Sequence, residues 1–162
     1  MSDFKFWGWG VKPRTMLRFV KSGDIFCFKL DEERYCFGRI ISKIITGHVA
    51  EIFDFTANKP EITENDISER VIPPIVIDTY SLFDKKIEKG SDWRIIGHQY
   101  NYVPKNVGDV FFVYGIENSC KKVDIFDIET NISEKDTENY PRLSPNGDCQ
   151  IKSLLINKLK RN

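Results

Sequence analysis

The sequence lacks the features that would place the protein in a membrane or in a common class of enzyme. Among its 162 residues no apolar run approaches the ~20 residues of a membrane helix. The N-terminus carries no apolar core like that of a signal peptide, so we expect a cytoplasmic protein with no membrane partner. The P-loop, zinc-protease, nucleophile-elbow and dinucleotide-binding motifs are all missing. The sequence is therefore interpreted more economically as that of a binding protein than as that of an enzyme.

Histidine and closely spaced cysteine are also scarce. The two histidines, His48 and His98, stand apart, and no CxxC pair occurs among the four cysteines, so we predict no metal site, no cofactor and no catalytic residues. The cysteines are expected to be small core residues, as is usual in a reducing compartment: Cys27, Cys36, Cys120 and Cys149. An enzyme using Cys36 or His98 remains an alternative that would need an accessible, activated thiol or imidazole.

The chain has no net charge, since 24 Lys and Arg residues balance 24 Asp and Glu residues. A neutral protein exerts no general attraction on nucleic acid, which argues against that partner. The N-terminal segment nevertheless mixes Trp7 and Trp9 with Lys5, Lys12 and Arg14, a combination found in proteins that bind single strands. A nucleic-acid-binding small β-barrel module is therefore kept as the alternative function, and the role of the Trp7/Trp9 segment is left open.

The clearest structural pattern is a β-hairpin. Gly23-Asp24 precedes the apolar stretch 25–30, the polar stretch 31–34 separates it from a second apolar stretch 35–41, and both are rich in aromatic residues. A four-residue loop would set Leu30 opposite Tyr35 and Phe28 opposite Phe37. In that register Phe28 and Phe37 lie on one face of the hairpin. The other face carries Ile25, Cys27, Gly38 and Ile40.

Turn and strand signals elsewhere predict an α+β, mainly β fold formed by one domain, 1–162. An N-terminal β-meander is expected over about 17–56, with its third strand at 49–55, and a second over about 93–128, including strands at 110–113 and 124–128. A short middle helix over 79–88 should follow the N-cap Asp78, and an amphipathic C-terminal helix should cover about 148–160, with Ile151, Leu154, Leu155 and Leu159 on one face. We expect the antiparallel sheet to curl into a barrel or sandwich.

Two segments are strongly acidic, and each follows one of the predicted strands. The first covers 51–69 and begins with Glu51 and Asp54, and the second covers 124–138 and begins with Asp124. We expect the two segments to lie near each other in the fold. Acidic loops steer a basic partner and repel nucleic acid, although they can also serve only solubility. The residues chosen as partner-binding candidates are Glu61, Glu64, Asp66, Glu69, Asp127, Glu129, Glu134, Asp136 and Glu138.

The hairpin also resembles a known family. Gly23-Asp24-Ile25-Phe26, the acidic turn, and Tyr35-Cys36-Phe37-Gly38-Arg39 are similar to the immunity protein 26 family of bacterial polymorphic toxin systems, as are Leu82-Phe83 and Trp93-Arg94-Ile95-Ile96-Gly97. The resemblance implies a mainly β protein, encoded beside a toxin, that neutralises this cognate toxin by direct stoichiometric binding. It implies no catalytic residue set. The implied partner is a toxin protein, such as a basic nuclease.

Overall fold

The main structural unit is an antiparallel sheet of six strands in the order β1-β6-β2-β3-β4-β5. The computed structural model describes residues 2–86 and 92–159. The strands of this sheet are β1 (Phe4–Phe6), β2 (Asp24–Lys29), β3 (Tyr35–Ile44), β4 (Gly47–Ala57), β5 (Ile75–Ile77) and β6 (Trp93–Gln99). The β2-β3-β4 meander confirms the hairpin and the third strand expected from the sequence.

The hairpin register differs by one residue from the sequence prediction. Lys29, not Leu30, lies opposite Tyr35, so Phe28 faces Cys36. The loop is longer because Asp31 organises it: its carboxylate accepts hydrogen bonds from the backbone N–H groups of Glu33 and Arg34, at 3.0 and 2.8 Å. A shift of one residue moves every side chain of a strand to the other face, and Phe37 therefore packs on the face opposite Phe28.

Gly38 fixes this register by leaving room for the Phe26 ring across the hairpin. A Cβ atom at Gly38 would lie 2.3 Å from Phe26 Cζ and 2.3 Å from the Glu51 carbonyl oxygen. We expect Gly38→Ala to lower the free energy of unfolding by about 1–3 kcal/mol, because two neighbouring strands must move apart. Urea unfolding followed by tryptophan fluorescence measures this loss. Gly108→Ala is the control, since no atom lies within 4 Å of its Cβ position, and equal stability of the two variants would contradict the prediction.

A second antiparallel sheet contains three short strands, β7 (Phe112–Tyr114), β8 (Lys121–Val123) and β9 (Glu129–Asn131), in that order. The predicted second meander is therefore divided, because β6 joins the first sheet. The strand predicted over 124–128 is wrong: these residues form the β8–β9 turn, in which the Asp124 carboxylate accepts hydrogen bonds from the N–H groups of Phe126 and Ile128. Such side-chain bonds to the local backbone compete with strand pairing.

Helical structure is limited. The predicted middle helix is a single π-helical turn over Tyr80–Asp84 that ends at the C-cap Lys85. Its predicted extension is wrong at 85–86, and 87–88 lie outside the described residues. Helix α1 (Asp148–Leu159) confirms the C-terminal helix. Ile151, Leu155 and Leu159 are buried on it, whereas Leu154 is exposed, so the apolar face is narrower than predicted. Within the described ranges, no helix is long and apolar enough to cross a bilayer.

Successive side chains of a strand point to opposite faces of the sheet, and most of them are apolar here, so the main sheet has a core on each face. On one face Phe26, Phe28 and Trp93 pack with Ile151 and Leu155 of α1. The Phe28 and Trp93 rings stack with centroids 3.8 Å apart, and the opposite face holds its own cluster around Phe37 and Phe53. The strand pairs seen in the described chain do not join β1 to β5, so closure into a barrel or sandwich stays a prediction.

Candidate functional site

The first acidic segment forms an exposed loop after β4. Asp66 closes a 3-10 turn over Glu64–Asp66 by accepting hydrogen bonds from the N–H and hydroxyl of Thr63, at 3.0 and 2.9 Å. Glu64 accepts a hydrogen bond from the Ser2 hydroxyl. The exposed carboxylates of Glu61 and Glu69 have no hydrogen-bond or ion-pair partner among residues 2–86 and 92–159. Two of the four candidates here therefore stabilise the loop, and two are available to a partner.

The second acidic segment surrounds β9, and all five of its candidates are exposed: Asp127, Glu129, Glu134, Asp136 and Glu138. Glu129 accepts a hydrogen bond from the Tyr114 hydroxyl, and Glu134 accepts one from the N–H of Glu117. No lysine or arginine in the described part of the chain forms an ion pair with any of the five. From 112 to 140 the chain carries seven carboxylates and three lysines, so this region has a net negative charge.

Residues that adjoin the two acidic segments line a common groove. Arg70, directly after Glu69, and Asn139 and Tyr140, directly after Glu138, line one groove of about 630 Å³. No hydrogen bond or ion pair connects the two sets of candidates within the described ranges. The expectation that the segments lie near each other therefore has support only from these adjoining residues.

The tip of the β8–β9 hairpin combines exposed apolar side chains with a hydrogen-bonded turn. Phe126 and Ile128 are 65% and 59% exposed, and Asp127 between them adopts φ +66°. The Asp124 hydrogen bonds hold this turn, so its conformation is set before any partner binds. The apolar residues in 124–128 resemble a strand and hide this feature, although an Asp such as Asp124 ahead of them is typical of a turn.

Glu51, which the sequence analysis counted in the first acidic segment, is buried and neutralised. Its two carboxylate oxygens accept hydrogen bonds from Arg39 Nε and Arg70 Nε, each at 2.9 Å, and Tyr102 donates a third at 3.1 Å. Burial, followed by the Glu51 charge, raises the pKa of Tyr102 to about 12. The group lines a cleft of about 770 Å³. Because every polar atom of Glu51 is engaged, this network is a structural connection between strands and loops.

Asp24 holds the turn before β2 and also has a partner that the sequence does not reveal. Its carboxylate accepts a hydrogen bond from the Lys21 N–H at 2.9 Å and contacts His98 Nδ1 at 2.8 Å. Burial raises the pKa of Asp24. Asp24 on β2 and His98 on β6 are 74 residues apart in the chain. No local sequence pattern could therefore have shown that they are in contact.

The remaining histidine and the cysteines have structural settings. His48 is buried against the Thr79 hydroxyl at 2.7 Å, and burial lowers its pKa to about 4. Burial raises the pKa of the Cys36 thiol to about 12 and also raises the pKa of the Cys27 thiol. A nucleophilic thiol needs a lowered pKa, so neither cysteine is activated. Cys149 is exposed, contrary to the prediction that all four cysteines are core residues. In the described residues no three His, Cys, Asp or Glu side chains form a metal-binding group.

Comparison with known proteins agrees with the family resemblance of the hairpin motif. The model of the family described as immunity protein 26 matches residues 21–124, from the turn before β2 to the residue that opens the β8–β9 turn. No curated protein and no solved structure matches the chain. The family match covers well over half of the sequence and includes both motif blocks that carry the resemblance. The chain therefore belongs to the immunity protein 26 family.

Proposed function

We propose that this protein is a cytoplasmic immunity protein of a bacterial polymorphic toxin system, which neutralises its cognate toxin by binding it stoichiometrically and without catalysis. Family membership supports the general role. The observation that carries the mode of action is the second sheet, where a preformed turn exposes Phe126 and Ile128 beside unpaired carboxylates. Aromatic anchors surrounded by polar residues are the usual centre of a tight protein interface.

The position of this surface in the family match favours it as the source of specificity. The match ends at residue 124, so the tip residues 125–128, β9 and the acidic turn over Lys135–Asn139 lie beyond it. An immunity protein must distinguish its own toxin from related ones. Such discrimination requires contacts that differ between members built on one scaffold.

The charge of the second sheet points to a basic toxin surface, such as that of a nuclease. An enzyme that cleaves nucleic acid needs cationic groups to hold the phosphates, and the exposed carboxylates of this region would be attracted to them. Asp127, Asp136 and Glu138 are the carboxylates with no competing bond inside the described chain. Glu61 and Glu69 provide a second, separate acidic surface.

The proposal is tested by co-purifying the tagged protein with the product of the neighbouring gene and by measuring growth when that gene is expressed alone or together with it. We expect an equimolar complex and restored growth. Phe126→Ala should weaken the complex by about 2 kcal/mol, or roughly 30-fold in Kd, if Phe126 is an anchor. Phe19→Ala is the matched control, because Phe19 is exposed to a similar extent in a different part of the surface.

The outcomes separate the family role from the chosen surface. No complex and no restored growth would contradict the proposed function. A complex that Phe126→Ala and Phe19→Ala affect equally would retain the function and remove the hairpin tip as its anchor.

A further inference from the structure

A second surface, remote in sequence from the acidic hairpin, forms a basic cleft of about 500 Å³. We call it the N-terminal cleft; its principal lining residues are Lys5, Trp7, Lys12, Lys21, His98 and Tyr100. The segment before β2 is attached to the main sheet by the bond from Trp7 Nε1 to the Ile95 carbonyl at 2.9 Å, and to the π-helical turn by the bond from the Thr15 N–H to the Phe83 carbonyl at 3.0 Å. The volume falls in the range of small-molecule sites, roughly 300–1,000 Å³.

The charge of the cleft is strongly positive. Residues 5–21 carry five Lys and Arg residues and no acidic residue. Lys5, Lys12 and Lys21 are exposed and form no ion pair within 4.0 Å to a described carboxylate. Among the described residues, Asp24 is the one carboxylate lining the cleft, and it is already bonded to His98 and to the Lys21 N–H. A bound anion would relieve the repulsion among the ammonium groups.

The strand register places the polar side chains of the cleft in a row. His98 of β6 lies opposite Lys5 of β1 and opposite Asp24 of β2, so the three side chains share one face of the sheet. Because His98 Nδ1 contacts the Asp24 carboxylate, Nε2 is the ring nitrogen left for a ligand. Thr15, which also lines the cleft, is only 8% exposed, and its hydroxyl has no hydrogen-bond partner in the described structure.

Aromatic rings complete the cleft. Tyr100 is 50% exposed and its ring meets the His98 ring edge-on at 4.8 Å. Phe19 is exposed on the same cleft, while Lys12 Nζ lies 4.1 Å from the centroid of Trp7. Exposed rings beside ammonium groups suit a ligand that carries both a planar base and a phosphate, because rings stack on the base and cations hold the phosphate.

We propose that the N-terminal cleft binds the nucleoside phosphate moiety of a nucleotide, with the phosphate held by Lys5, Lys12 and Lys21 and the base stacked on Tyr100 and Phe19. This site is distinct from the acidic toxin-binding surface and does not depend on it. The moiety can come from a free nucleotide or from the phosphorylated end of a single strand.

The test is calorimetric titration of the full chain with adenosine 5′-monophosphate at low salt. We expect saturable 1:1 binding with Kd below about 1 mM, a value typical of a small ligand held by a few polar contacts. Adenosine and inorganic phosphate should each bind at least about tenfold more weakly, since each makes only one set of contacts. A 5′-phosphorylated hexathymidylate serves as the second arm. If this strand binds more tightly than adenosine 5′-monophosphate, the ligand is a strand end. If it binds equally or more weakly, the ligand is a free nucleotide.

Matched surface variants keep the test independent of folding. Lys12→Glu with Lys21→Glu should weaken binding at least about tenfold, whereas Lys59→Glu, an exposed lysine outside the cleft, should change it less than about twofold. Tyr100→Ala should also weaken binding at least about fivefold, and Tyr80→Ala is its control, because Tyr80 is 55% exposed and does not line the cleft. The absence of saturable binding at about 10 mM nucleotide, or equal effects of cleft and control variants, would overturn the proposal.

Discussion

Replacing Glu51 with alanine is expected to lower the free energy of unfolding by about 3 kcal/mol, since the change leaves two partly buried guanidinium groups, 15% and 19% exposed, without their carboxylate. Glu51 is only 5% exposed and bonds Arg39 on β3 and Arg70 after β4. Arg70 also donates to the carbonyls of Lys105 and Asn106, at 2.7 and 2.8 Å. Loss of the carboxylate would therefore loosen the main sheet and the loop that leads toward the second sheet.

Urea unfolding of the alanine variant and of two companions measures this effect. Glu51→Gln keeps the size and an acceptor oxygen, so its loss should be smaller than that of the alanine variant. Glu61→Ala removes an exposed carboxylate and should change stability by less than about 0.5 kcal/mol. If Glu51→Ala cost no more than Glu61→Ala, the network around Glu51 would have no role in holding the fold.

Reversing two carboxylates of the second acidic segment, Asp136→Lys with Glu138→Lys, should slow association with the cognate toxin by about tenfold or more at low salt. Exposed charges act mainly on the association rate, and their effect decreases as salt screens them. Neither side chain bonds another described residue, so the folded structure should be retained. Stopped-flow or surface-binding kinetics at two ionic strengths would measure both rates, and we expect the dissociation rate to change less. This prediction rests on the proposed function.

The matched control is Glu61→Lys with Glu69→Lys, which changes the net charge by the same amount on the first acidic segment. If the second sheet faces the toxin, this control should slow association much less. Slower association of the control pair instead would move the interface to the loop after β4. An unchanged rate for both pairs at low salt would exclude electrostatic steering by either segment.

The candidate sites were only partly accessible to sequence reasoning. The carboxylates of the second segment could be chosen from composition, because charged side chains in polar stretches are usually exposed. Glu51 was selected by the same criterion, but it is buried. Arg39 lies directly opposite it on β3, and Arg70 from the following loop forms an ion pair with it. Whether a carboxylate attracts a partner or neutralises an arginine depends on which strands are neighbours, and composition does not contain that information.

By itself the sequence determined the local elements of this protein and its family. Two apolar, aromatic-rich stretches over 25–30 and 35–41, separated by a polar turn, specified a hairpin, and the i, i+4 spacing of Ile151, Leu155 and Leu159 specified a helix, because both patterns involve neighbours in the chain. Tertiary structure alone decided the hairpin register, the pairing of β1 with β6 and the contact between Asp24 and His98. These depend on packing between distant segments, where one bulky ring such as Phe26 against Gly38 selects a single register from several that satisfy the same local pattern.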